Sequence, residues 1–318
     1  MTKILVRVAE IIQETEDICA IRLVREDGEP FGPYQAGAHI DVTGPTGLLR
    51  QYSLCSPPSD PSSLLIAVKH EPNSRGGSAA LHRVAVGDRL KIGEPRNLLT
   101  LDGTADRHVL VAGGIGVTPL LSMAYELHRQ AADFELHYVA RSRDKAAFTD
   151  LLENRVEFRD RVHLHFGLPR TELPAVLADV APVLTPASHV YTCGPQGFMD
   201  QVTSVFAQVV GEQHVHVEHF AATEVDTSQD KPFTVELDTG EVFEIPAGES
   251  ILSVLTENGI EVFKSCEEGI CGSCVSGVVA GTPDHRDNCL STAEKAADDQ
   301  IALCVSRALS GKLVIELY

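Results

Sequence analysis

Four cysteines near the C-terminus, Cys266, Cys271, Cys274 and Cys304, constrain this chain more than anything else in it. Their spacing, C-x4-C-x2-C followed by one distant cysteine, is the ligand pattern of a plant-type [2Fe–2S] cluster. Zinc is the alternative metal, but a structural zinc site usually presents two short knuckles, whereas here three ligands crowd one loop and the fourth lies far away. A disulfide framework suits a small secreted domain, not a chain of 318 residues with eight cysteines. The loop fillers agree with a cluster. Gly269, Gly272 and Ser273 let backbone N–H groups approach bridging sulfides, whose negative charge needs such donors. A cluster of this kind carries electrons one at a time, so the rest of the chain should explain their source.

Cys19 and Cys289 read as small buried hydrophobes. Unpaired and iron-bound thiols together indicate a reducing compartment. The N-terminal run Met1–Arg7 is broken by charge and followed by acidic residues, unlike a signal peptide, and no stretch of twenty apolar residues exists to form a transmembrane helix. The expected location is therefore the cytoplasm. A formal charge of −19 argues against nucleic acid as a partner. Residues 232–318 hold fifteen acidic and five basic residues, a net of −10. That excess either serves solubility or steers a basic redox partner toward the cluster.

The chain divides by pattern. Ile18–Arg25, Ala38–Val42, Arg50–Leu54 and Leu64–Lys69 are rich in β-formers and separated by turn signals such as Asp27-Gly28 and Pro57-Pro58, which predicts an antiparallel barrel over 1–102. From Arg107 the register changes. His108–Ala112 is a continuous apolar strand, Gly113–Pro119 a glycine turn, Leu120–Gln130 helical in period, and Phe134–Ala140 and Val190–Cys193 are further strands. Strands alternating with helices predict a parallel sheet over 103–222. Residues 223–231 have little apolar content and read as a linker. Over 232–318 a hairpin around Asp238-Thr239-Gly240, a helix from Ser250 to Asn258 closed by Gly259, the cysteine loop and final strands describe a β-grasp ferredoxin domain. The fold class is thus multidomain α+β.

Arg50, Tyr52 and Ser53 place a cation, an aromatic ring and a hydroxyl at one strand end, a set that suits a planar cofactor with a phosphate tail. Arg75-Gly76-Gly77-Ser78 opens a helical segment, Ala79–Val84, and offers a phosphate cradle. The turn at Gly113 lacks the G-x-G-x-x-G spacing, but glycines after a strand still admit a dinucleotide close to the main chain. Cys193-Gly194-Pro195 follows a strand and opens a helix, so it shares the sheet's carboxyl edge. Cys193 has no local base and does not read as a nucleophile. In Arg141-Ser142-Arg143-Asp144, an arginine would favour a ribose 2′-phosphate and Asp144 a free 2′-hydroxyl, so the residues leave NADH and NADPH both open.

In this order, R-x-Y-S, G-G-S, G-G-x-G-x-T-P, C-G-P and a plant-type cluster resemble the phthalate dioxygenase reductase family, within the ferredoxin–NADP reductase superfamily. The resemblance covers essentially the whole chain. It implies a flavin barrel, a pyridine-nucleotide domain and a [2Fe–2S] domain in series, with FMN as the flavin and NADH as the donor; the residues alone do not exclude FAD. It places Arg50 at the flavin phosphate, Tyr52 against the isoalloxazine and Ser53 near N5. Ala67, Val68 and Lys69 would line the ring edge, Gly77 and Ser78 would meet the phosphate, and Phe220 would close over the ring. Gly113, Gly114, Gly116, Thr118, Pro119, Arg141, Ser142, Asp144, Cys193, Gly194 and Pro195 would hold NAD. Ser53, Thr118, Cys193 and Phe220 would surround the reacting atoms.

The implied relay passes a hydride from NADH to FMN, then single electrons through the cluster to a Rieske-type oxygenase of an aromatic dioxygenase or demethylase system. A reductase serving a cytochrome P450 or other monooxygenase is the nearest alternative, and an iron–sulfur redox sensor is a third reading. The histidines complete no site in sequence. His163 and His165 alternate on one strand and His214, His216 and His219 lie together, but no neighbouring carboxylate or cysteine completes a metal set, so surface or packing roles are expected.

Overall fold

Consecutive apolar residues in β2 (Ile18–Arg25) and β5 (Leu64–Lys69) give each strand two buried faces. Cys19, Ile21, Leu23, Ile66 and Val68 fill the barrel interior, while Ile18, Ala20, Leu65 and Ala67 turn outward into a second core. A computed structural model describes residues 3–72, 75–222 and 226–317, arranged as two compact units, Met1–Glu218 and His219–Tyr318.

In the first unit, β1 (Ile4–Gln13), β2, β3 (His39–Thr43), β4 (Leu49–Ser53), β5 and β6 (Arg89–Ile92) form an antiparallel sheet of order β4-β3-β6-β1-β2-β5. A bridge between Leu54 and Ile66 closes it into a barrel. Strands β1 and β6 carry no clear signal in the sequence. A bulge between Val8 and Glu10 interrupts the alternation of β1, and β6 is only four residues long. Helix α1 (Gly77–Leu81) starts two residues ahead of the segment expected from periodicity and is shorter than it.

A five-stranded parallel sheet follows, of order β11-β10-β7-β8-β9. In chain order its elements are β7 (His108–Gly113), α2 (Val117–Arg129), β8 (Phe134–Ala140), α3 (Thr149–Asn154), β9 (Val162–Phe166), α4 (Leu173–Ala178), β10 (His189–Cys193), α5 (Gln196–Val210) and β11 (Val215–Glu218). Helix α2 starts at Val117, three residues before the period predicts, so Thr118 and Pro119 lie in its first turn. Proline is tolerated there because the first N–H groups of a helix have no intrahelical partner. One face of the sheet packs on α4 and α5 through Val109, Val111, Leu177 and Val202. The other packs on α2 and on the outer face of the barrel, where Ile18, Ala20 and Ala67 share one core with Leu110, Val117 and Leu120.

The second unit is a mixed sheet of order β13-β12-β18-β14-β16, built from β12 (Phe233–Leu237), β13 (Val242–Ile245), β14 (Val275–Ala280), β16 (Gln300–Ala302) and β18 (Lys312–Glu316). The parallel pairing of β12 with β18 and helix α6 (Ile251–Glu257) give the expected β-grasp. Two short strands, β15 (Pro283–Asp284) and β17 (Arg307–Ala308), and helix α7 (Thr292–Ala297) complete it. Of the expected linker, Thr223, Glu224 and Val225 lie outside the described residues. Its far end is anchored, since Arg286 Nη2 reaches Asp230 at 2.8 Å and Arg307 Nε at 3.5 Å.

Helix α6 is delimited by local chemistry. Ser250 accepts a hydrogen bond from Ser253 N at 3.0 Å. Gly259 sits at φ +81°, with Ile260 N donating to Leu255 O and Gly259 N to Thr256 O, a Schellman motif. Ser250→Ala removes the cap and is expected to lower the stability of this unit by about 1 kcal/mol. Denaturant unfolding followed by the visible absorbance of the cluster measures that loss, and an unchanged midpoint would contradict the capping assignment.

Candidate redox site

The four predicted ligands converge. Cys266, Cys271, Cys274 and Cys304 are all buried, with none more than 9% exposed. Their sulfurs pair off, Cys266 with Cys271 and Cys274 with Cys304. Within each pair the neighbouring thiol pulls Cys271 and Cys274 down and pushes Cys266 and Cys304 up. Backbone geometry of the loop depends on glycine. Gly269 and Gly272 adopt φ of +73° and +69°, and a Cβ on Gly269 would stand 2.6 Å from Val305 Cγ2 and 3.2 Å from Asp287 Cα. Glu268 N donates to Cys266 Sγ at 3.3 Å, a donor of the kind a thiolate ligand requires. Four converging soft donors on a glycine loop fit an iron–sulfur cluster. Cys289 is only half-buried, and its thiol lies 3.4 Å from Asp287 Oδ2.

In the barrel, β4 brings Arg50 over the glycine segment. A Cβ at Gly77 would lie 3.2 Å from Arg50 Cγ, so the arginine stem crosses the start of α1. Gly76, at φ +93°, borders open space. Ser78 Oγ accepts from Glu71 N at 3.1 Å, holding that turn. The sequence-predicted phosphate residues are thus brought together as a cradle that fits a terminal phosphate. Tyr52 packs half-buried against the barrel core, and burial pushes its phenol up to about 12. Val68 points into the barrel interior and Ala67 into the shared core, so only their backbone can meet a ring. Lys69 turns out to Glu71 at 2.5 Å.

At the sheet's carboxyl edge, Gly116 and Gly113 serve the protein itself. A Cβ on Gly116 would stand 2.1 Å from Cys193 O, and one on Gly113 would meet the Phe198 ring at 2.9 Å and Pro195 at 3.1 Å. Gly194 is equally tight against Gly113. Gly114, at φ +57°, has nothing within 4 Å and is the glycine that borders open space. Thr118 is buried and donates to Ile115 O at 3.0 Å. Arg143 is committed to Glu153 and to Asp150 at 3.3 Å, while Arg141 and Asp144 are exposed and Ser142 hydrogen-bonds Asp144. Phe220 lies two residues past β11, at the start of the second unit, and is 39% exposed.

One group escaped the sequence reading. Ser53 pairs across the barrel strands with His39, and His39 Nδ1 lies 4.0 Å from Glu218 Oε1. Glu218 in turn stands beside Cys193 in the parallel register of β10 and β11. Burial raises Glu218 to about 8; burial and then Arg96 lower His39 to about 4. The contact is therefore between a neutral carboxylic acid and a neutral imidazole, not an ion pair. Glu218 Oε2 and His39 Nε2 are buried without a hydrogen-bond partner. Unpaired polar atoms between Ser53 and Cys193 fit the hydrogen-bonding edge of a bound ring. No local pattern reveals this, because His39 and Glu218 meet only when the barrel docks on the sheet.

Residues 235–309 match the 2Fe-2S iron-sulfur cluster binding domain family. The chain is 45% identical over 305 residues to the vanillate O-demethylase oxidoreductase of Pseudomonas sp., covering 95% of this chain and 96% of the relative. Among solved structures, phthalate dioxygenase reductase, described as modular for electron transfer from pyridine nucleotides to [2Fe-2S], matches with a TM-score of 0.72 and 39% identity over 99% of this chain and 98% of that one. A type IV self-sufficient cytochrome P450 monooxygenase matches at 0.87 and 36% over 98% of this chain, which spans 41% of that longer protein.

Fold, cysteine loop and relatives together define an oxidoreductase, the flavin and iron–sulfur reductase component of an oxygenase system. The chain belongs to the phthalate dioxygenase reductase family.

Two outcomes test this geometry. Gly269→Ala forces a side chain into Val305 and Asp287 at a positive φ, and should purify with its flavin but with most of its iron lost; full iron content would contradict the close approach. Glu218 releases its proton near 4.5 when unfolded and holds it to about 8 when folded. The unfolded chain binds fewer protons in that window, so stability falls as pH rises through it. Denaturant titrations should show that fall in the native chain and flatten it in Glu218→Gln; parallel pH profiles would refute a buried neutral carboxyl.

Proposed function

We propose that this chain takes electrons from NADH through FMN and a [2Fe–2S] cluster and delivers them singly to a Rieske-type oxygenase acting on an aromatic substrate. The observation that carries the reading is the convergence of four buried cysteines in a chain whose other unit joins a phosphate cradle to a nucleotide-binding sheet. When bound, the nucleotide supplies a hydride, the flavin turns an electron pair into single electrons, and the cluster carries those onward.

The chain's residues bind and orient. Arg50, with Gly77 and Ser78, would hold the flavin phosphate; Tyr52 would pack against the ring and Ser53 would offer it a hydroxyl. Gly114, Thr118, Pro119 and the Cys193-Gly194-Pro195 turn would position the nicotinamide, and Arg141, Ser142 and Asp144 would meet the far ribose. Burial pushes the Cys193 thiol well up, so it packs beside the ring and does no nucleophilic chemistry. A protonated Glu218 would donate a hydrogen bond there without adding charge. No proton transfer is needed at these side chains during hydride transfer, so Ser53, Cys193 and Glu218 are positioning groups.

No helix among the described residues is long and apolar enough to cross a membrane, and the eight cysteines form no disulfide there, which supports a cytoplasmic setting. The acidic C-terminal unit, including exposed Glu267, is the docking face for a basic partner. A cytochrome P450 acceptor is the second reading, favoured by the likeness to the reductase part of a self-sufficient P450.

Reconstitution with NADH and either a Rieske-type demethylase or a P450 distinguishes the two: coupled product formation is expected with the first, and turnover only with the P450 would overturn the preferred partner. Delivery to the oxygenase should slow as salt rises, whereas salt-independent rates would remove the steering role. Cys304→Ala should lose the iron–sulfur absorbance and keep the flavin band; a retained cluster spectrum would exclude Cys304 as the fourth ligand.

A further inference from the structure

The parallel register of β8 and β9 creates a cluster that neither strand contains alone. On β8, Phe134, Leu136 and Tyr138 enter the shared core, so Glu135 and His137 take the opposite face. On β9, Val162, Leu164 and Phe166 do the same and His163 and His165 follow Glu135 and His137. His137 then faces His163 directly across the strand pair. The expectation that no carboxylate completes a histidine set fails here, because Glu135 Oε2 lies 3.5 Å from both His137 Nε2 and His163 Nε2.

We propose that Glu135, His137 and His163 form a binding site for a divalent transition-metal ion of the zinc type, which ties the edge strand β9 to β8. The three donor atoms all lie within 4.8 Å of one another. Tetrahedral zinc with ligands at about 2.1 Å needs donors about 3.4 Å apart, close to the two 3.5 Å separations. Two imidazoles and a carboxylate suit zinc and leave a fourth position for water.

The surroundings are those of a supported ligand set. His137 is 5% exposed, and its Nε2 is buried without a hydrogen-bond partner. Its other ring nitrogen, Nδ1, lies 3.2 Å from His165 Nε2, so a proton held there turns the Nε2 lone pair toward the site. Arg107 Nη2 stands 3.3 Å from Glu135 Oε1, which holds the carboxylate with Oε2 toward the histidines. His163 stacks on His137 with ring centroids 4.7 Å apart, so its half-exposed ring would turn about χ2 to aim Nε2 at a shared ion. Strand β9 is an edge strand of the sheet, so a cross-strand clip there stabilises pairing that no further strand protects.

The test is zinc binding by the full-length holoprotein, measured by equilibrium dialysis with iron and flavin content monitored throughout. One zinc per chain is expected, accompanied by a higher unfolding temperature. His163→Ala, a change at a half-exposed edge position, should weaken binding at least about tenfold and abolish the thermal shift. Glu135→Gln should do the same, while His214→Ala, just before β11 and stacked on His189 of β10, should leave both unchanged. No zinc bound by the native chain, or equal binding by the native chain and His163→Ala, would overturn the proposal. So would loss of binding in His214→Ala alone.

Discussion

The apolar core shared by the barrel and the parallel sheet is the contact on which the rest of the first unit depends. Ile18, Ala20, Leu65 and Ala67 leave the barrel's outer face and bury themselves against Leu110, Ala112, Val117 and Leu120. Burial of this kind contributes about 25 cal/mol per Å² and has no direction of its own; strand alternation supplies the direction. Because the docking is fixed, Ser53 and His39 at a barrel strand end come up to Glu218 and Cys193 at a sheet edge. Two buried side chains with unpartnered polar atoms there suit the polar edge of a ligand. The same packing thus builds the core and, in the proposed function, prepares the place where nucleotide and flavin rings would meet.

The iron–sulfur unit follows a different logic, with backbone conformation deciding more than burial. Gly269 and Gly272 take φ values that other residues adopt only with strain, and Gly269 has no room for a side chain. That lets one short loop present three sulfurs inward while Cys304, just beyond β16, supplies the fourth. Part of this unit's acidic excess serves the fold itself, since buried Asp287 accepts from Leu290 N at 2.9 Å and Glu294 closes a capping box with Ser291.

Much of this was legible in the residues. The cysteine spacing, the glycine turn after β7, the strand limits of β2, β5 and β8, and the Ser250 to Gly259 helix all follow from local chemistry that local structure then obeys. What was not legible depends on register or docking. The bulge in β1 hides its period. The Glu218–His39 contact joins residues from different sheets. The set Glu135, His137 and His163 exists only because β8 and β9 align in parallel. Gly113 and Gly116 show a subtler limit. Their smallness was readable, but its cause, the nearness of Phe198 and the Cys193 carbonyl, is a tertiary fact.

In the proposed function one chain converts a hydride into single electrons held at its own cluster. Anaerobic titration of the purified protein with NADH, followed by visible absorbance, tests this most directly. Bleaching of both a flavin band and an iron–sulfur band is expected, to a total of about three electrons per chain. Flavin reduction with an unreduced or absent iron–sulfur signal would contradict it.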